Sequence, residues 1–154
     1  MKSKLSFLIV LAFFACNNAN RPITDLDKEK NITDAKNLIS TIYQAAESID
    51  SLTMTSTFLD SPDFISFING EYANYDQTKK KYPSLMGEFK AQKATILNEE
   101  FIVVDASTIV YTSKSRWECK LKNDSIAIYD NCGLQLVLKK SDNGWKVLSW
   151  MEVY

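Results

Sequence analysis

The sequence contains no histidine. That removes the side chain whose charge changes near neutral pH and the commonest transition-metal ligand. Acid–base chemistry in this chain would fall to carboxylates, lysines or tyrosines. Glycine and proline are scarce, at four and three residues, and neither a GxGxxG nor a GxxxxGK[ST] phosphate loop occurs. Charge of one sign is not in excess either. The 18 basic and 19 acidic residues leave a net charge of −1, so no basic surface invites nucleic acid. Internal repeats and low-complexity runs are absent, and no pattern asks for a metal or a cofactor. What remains is ordinary globular material. The 154 residues are 45% hydrophobic and 24% charged, enough for one domain with a real core. Two of the three tryptophans, Trp145 and Trp150, fall in the last ten residues, where chains usually fray.

The N-terminus reads as an address. Lys2 and Lys4 precede a run, Leu5 to Ala15, that is apolar apart from Ser6. At 11 residues it is too short for a bilayer that needs about 20. Cys16 follows Ala15, and this resembles a bacterial lipobox, in which the cysteine is lipidated and becomes the new N-terminus. Phe13 and Phe14 depart from that pattern. Residues 1–15 are thus expected to be a lipoprotein signal peptide. Residues 16–30, rich in Asn, Asp and Lys, should be a tether to a domain over 31–154. Without Lys2 and Lys4 the 18 basic residues become 16 against 19 acidic, a charge of −3. Acyl chains rather than charge would then hold the protein on the membrane, at ~0.8 kcal/mol per buried CH₂. The expected location is the cell envelope, at the outer membrane, facing the periplasm or the surface.

Hydrophobic period supplies the elements. Ile32, Ala35, Leu38, Ile39, Ile42, Ala46 and Ile49 recur in steps of three and four, predicting a helix with Tyr43 at the edge of its stripe. A short helix should span Leu52 to Leu59 and end at "DSPD". Asn69-Gly70 between aromatic-rich runs predicts a tight hairpin. "DQTKKKYPSLMGEFKAQ" reads as helical, capped by Asp76 and broken or kinked at Pro83.

Four strands follow, at about 93–104, 107–121, 126–140 and 145–154. If "SDNG" sets the last register, Leu138 faces Val147, Leu136 faces Ser149 and Leu134 faces Met151. The preceding hairpin would pair Trp117 with Leu134 and Cys119 with Cys132. Trp117, Leu134, Leu136, Leu138, Val147 and Met151 then share one apolar face. Arg116, Glu118, Lys120 and Lys139 take the other. The terminal tryptophans would pin a paired strand rather than a tail.

The amphipathic first helix, the stretch "TFLDSPDFISFINGE" and the ending "LVLKKSDNGWKVLSW" resemble SnoaL-like domains of the nuclear transport factor 2-like group. That resemblance covers roughly residues 31–154. It implies an α+β cone, a curved antiparallel sheet wrapped around N-terminal helices, with a pocket between sheet and first helix. Better-known members bind polyketides or steroids there, and some use pocket aspartates as acid or base. Here Phe67, Ile68 and Asn69 occupy the first hairpin, and Ser149 and Met151 stand where related domains often carry histidine. The resemblance therefore implies the fold without inherited catalysis.

The candidate pocket residues are Tyr43, Phe67, Trp117, Trp145, Ser149 and Met151, and no residue is assigned as catalytic. Tyr43 could stabilise an oxyanion or simply sit at the core's edge. Asp60 and Asp63 fit a turn better than a carboxylate pair. Glu99 and Glu100, adjacent on a strand, point to opposite faces. Cys119 and Cys132 form either a disulfide or two free thiols. Val137, Leu148 and Trp150 would make an outer apolar patch for a homodimer. The expected function is a lipid-anchored envelope protein whose domain binds an apolar small molecule or a partner protein without catalysis. The alternative is a small isomerase, cyclase or dehydratase using Tyr43 and a pocket carboxylate.

Overall fold

The computed structural model describes residues 23–154. The expected signal segment, the lipidated Cys16 and residues 16–22 of the expected tether lie outside the described residues. Helix α1 runs Asp25–Glu47. It starts earlier than the apolar period suggests because Thr24 caps it. The Thr24 hydroxyl accepts from the Asp27 N–H, and the Asp27 carboxylate accepts from the Thr24 N–H. Asp25 and Asp27 also complement the positive helix end. Residues 25–30, expected as tether, are therefore helical. The helix ends two residues before Ile49, in a turn where Asp50 N–H reaches Ala45 O and Ile49 N–H reaches Ala46 O. Ile49 there takes φ 58°, a position usually given to glycine.

Helix α2 spans Ser51–Ser56 and stops short of Leu59, because the sheet recruits the next residues. Val147 N–H donates to Thr57 O, and Leu59 N–H donates to Val147 O. The expected hairpin is β1 (Ile65–Ile68) and β2 (Glu71–Asn74), with Asn69 and Gly70 at φ 49° and 88°. Helix α3 covers Tyr75–Met86 and is capped by Asn74 with Gln77, not by Asp76. It continues past Pro83, whose carbonyl still accepts from Gly87. Strand β3 (Phe89–Asp105) begins in residues read as the end of that helix. β4 (Thr108–Leu121), β5 (Ile126–Ser141) and β6 (Gly144–Val153) complete the chain.

The sheet order is β2-β1-β6-β5-β4-β3, every pair antiparallel except β1 with β6. The result is a curved, unclosed mixed sheet against the N-terminal helices. Leu136, Leu138, Val147 and Ile109 are fully buried in one cluster with Ala35, Ile39 and Ile42 of α1.

Two registers differ from expectation. Leu138 does pair with Val147, but a bulge then inserts Leu148, so Val137 pairs with Ser149 and Leu136 with Trp150. One extra residue flips all that follow. Trp150 and Glu152 turn inward, and Met151 turns out. In the β4–β5 hairpin the turn lies around Asn123, with Asp124 at φ 66°. Trp117 consequently pairs with Tyr129 rather than Leu134, and Cys119 with Ala127 rather than Cys132. The expected outer triad also breaks up, since Trp150 belongs to the core.

Candidate ligand pocket

Under α1 and α3 the sheet leaves a mostly apolar cavity of about 130 Å³. Ile42, Tyr43 and Ala46 of α1 form its roof, Tyr82, Leu85 and Met86 of α3 one side, and the inner sheet face its floor. Of the six residues expected in a pocket, the structure brings two together here. Tyr43 and Trp117 both line it, their rings stacked at 5.9 Å. The Tyr43 hydroxyl lies 3.0 Å from Ser113 Oγ. Tyr43 also borders a second cleft, between α1 and β3, that holds Lys36, Glu47 and Glu99.

The other four stand elsewhere. Trp145 is buried in the core with its Nε1 unpaired and Lys140 Nζ 5.8 Å from its ring. Phe67 and Met151 face each other across β1 and β6 on the outer face, 40% and 47% exposed. Ser149, paired with Ile65 and Val137, shares that face. The cause for Ser149 and Met151 is the Leu148 bulge. Asp60 and Asp63 are exposed in the α2–β1 connection, where Ser61 Oγ accepts from the Asp63 N–H. Glu99 accepts from the Tyr111 hydroxyl at 3.2 Å.

The residue that sequence reasoning missed is Glu152. It lines the pocket, and its Oε2 accepts from Trp150 Nε1 at 3.0 Å. Burial raises this carboxyl above the usual range, and the indole N–H pulls it part of the way back. Only the bulge would have revealed it, since an unbroken alternation sends residue 152 outward. Tyr82 lies beside Glu152 and Tyr154, and burial raises its hydroxyl well above the ordinary phenol range.

Cys119 and Cys132 are buried free thiols, both on the pocket wall. The expected disulfide has no support in the register, which opposes neither to the other. Burial pushes both thiols up, Cys132 to about 11, so each stays protonated and weakly nucleophilic.

A raised carboxyl makes a signed prediction. Because the folded protein holds the Glu152 proton more tightly than the unfolded chain, this group supports folding at low pH. That support is lost as pH rises through the folded pKa. Glu152→Gln should therefore raise Tm at pH 8 while leaving it nearly unchanged at pH 4. Thermal melts across that range check it; equal shifts at both pH values would reject a raised carboxyl.

The architecture is the nuclear transport factor 2-like fold. A nuclear transport factor 2-like superfamily protein from Salmonella enterica serovar Typhimurium superposes with a TM-score of 0.73 at 14% identity, over 81% of this chain and 91% of that one. A type 2 hexachlorocyclohexane dehydrochlorinase gives 0.71 at 12% identity, over 84% and 88%. A nuclear transport factor 2-like protein of unknown function from Shewanella oneidensis gives 0.63 at 18%, over 80% and 98%. No family model and no curated protein matches the sequence. Among the described residues no helix is long and apolar enough to cross a membrane, and no cluster of three His, Cys, Asp or Glu could hold a metal.

Proposed function

We propose that the chain is a lipid-anchored cell-envelope protein whose cone domain binds an apolar small molecule without transforming it. The observation that carries the binding reading is the apolar cavity of about 130 Å³ between α1, α3 and the sheet. Two features favour binding over catalysis. The Tyr43 hydroxyl is engaged by Ser113, and no hydrogen bond joins it to Glu152, the one carboxyl side chain among the described residues of the pocket. A catalytic reading of isomerase, cyclase or dehydratase type would use that carboxyl as the acid. The dehydrochlorinase of the same fold gives it a precedent.

Anchoring rests on the Lys2–Cys16 pattern. Radiolabelled palmitate should enter the expressed chain and be lost in Cys16→Ser; equal labelling of both would reject the anchor.

Native mass spectrometry of the purified protein tests pocket occupancy and assembly together. We expect a co-purified small molecule released on unfolding, and a dimer. The dimer surface we propose is the outer sheet face, with Val137 and Leu148 joined by Phe67, Met151 and Ile65 instead of Trp150. Phe67→Asp, on an exposed strand position, should give monomer without loss of fold. A monomeric wild type would end the dimer proposal. An empty pocket that also binds no added hydrophobe would end the binding one.

A further inference from the structure

Among the described residues the cavity carries one side-chain carboxyl and no cationic group. Its indole N–H groups are already spent, Trp117 Nε1 on Ser115 Oγ at 3.0 Å and Trp150 Nε1 on Glu152 Oε2 at 3.0 Å, and Gln92 Nε2 gives one of its two protons to Ala46 O at 2.7 Å. Two acceptors stay open. Glu152 Oε1 has no partner among the described residues, and Gln92 Oε1 receives only the weak Cys119 thiol at 3.9 Å. Among the described residues no lysine or arginine lines the cavity, so nothing there answers the charge of Glu152. Around it stand the rings of Tyr82, Phe89, Trp117, Tyr129, Trp150 and Tyr154.

Aromatic π systems attract cations, most strongly where water is excluded, and a buried carboxylate does the same at closer range. An anion would meet Glu152 and electron-rich rings with no cation to neutralise it, only neutral donors such as the tyrosine hydroxyls. A neutral alcohol or ketone would leave the carboxyl without a counter-charge. We propose that the pocket takes a small organic amine, an aromatic or aliphatic ring carrying one ammonium, whose N–H groups bond Glu152 Oε1. The size fits, since a cavity of about 150 Å³ in another protein accommodates benzene. This rests on the pocket-binding reading above. It adds a charge to the ligand and gives Glu152 the role of counter-ion.

The test is isothermal titration of the purified full chain at pH 7 with three single-ring probes: 2-phenylethylamine, 2-phenylethanol and phenylacetate. Wild type should bind the amine about tenfold or more tightly than the alcohol, the scale of one hydrogen bond to a charged group, and phenylacetate most weakly. In Glu152→Gln, whose amide oxygen can still accept from Trp150, the amine-to-alcohol ratio should fall to about one. The ratio in wild type needs no variant and stands even if Glu152→Gln misfolds. If the alcohol or phenylacetate equals the amine in wild type, or a folded Glu152→Gln keeps the preference, the amine proposal is overturned while the pocket reading survives. If none of the three binds, the pocket reading falls with it.

Discussion

A chain truncated after Asn143 should fail to fold, although it loses only the last 11 residues. β6 is an interior strand of the sheet, lying between β1 and β5. Removing it leaves the β1–β2 hairpin with no strand to pair and β5 with an open edge. It also removes Val147, fully buried, whose backbone holds Thr57 and Leu59. Trp145 and Trp150 go with it, both core side chains. Few buried backbone groups in a folded protein lack partners, and here several would lose theirs at once. Circular dichroism and protease resistance decide the matter. A truncated chain with a cooperative melt near that of wild type would show that the sheet does not depend on its last strand.

The second large effect separates two neighbours. Trp150→Ala should destabilise the domain by ~3–5 kcal/mol, the usual range for emptying a large aromatic site. Trp150 meets Phe58 edge-on at 5.9 Å and Tyr82 at 6.2 Å, and its indole N–H holds Glu152. Met151→Ala should change stability by no more than about 0.5 kcal/mol, as befits a half-exposed strand position. A strand without the Leu148 bulge predicts the reverse order, with Met151 costly and Trp150 cheap. Chemical denaturation of the two variants therefore reads the bulge directly. If Met151→Ala were the more damaging, the inward assignment of Trp150 and Glu152 would fail.

That contrast also shows what local sequence could and could not carry. The α1 stripe, the Asn-Gly turn and the Leu138–Val147 pair were legible because each follows from a period or from turn residues alone. Leu136 and Val147 do face α1, as the fold requires. The bulge was not legible. Leu148 has no glycine or other local mark of its role, and only the pairing with β5 reveals it. The strand ends on either side of the next turn, Leu121 and Ile126, were legible, but the register across it was not. Asp124 takes a positive φ in a segment without glycine, and the register moved with it. The pocket reading suffered most, since one slipped residue exchanges Ser149 and Met151 for Trp150 and Glu152. The parallel β1–β6 pairing joins residues about eighty apart, beyond the reach of any local pattern.

The two borders of the sheet carry a last consequence. A fringe of unpaired N–H and C=O groups can recruit another chain and seed a fibril. On one side the fringe is β2, four residues long, too brief to template much. On the other it is β3, with 17 residues and exposed Ile96, Leu97, Ile102 and Val104. Yet its pairing with β4 slips at three places, at Phe89–Ala91, Ile96–Asn98 and Val103–Asp105. Each slip bends the ribbon, so an incoming strand finds no long straight margin to copy. Such irregularities work against edge-to-edge growth of an apolar rim.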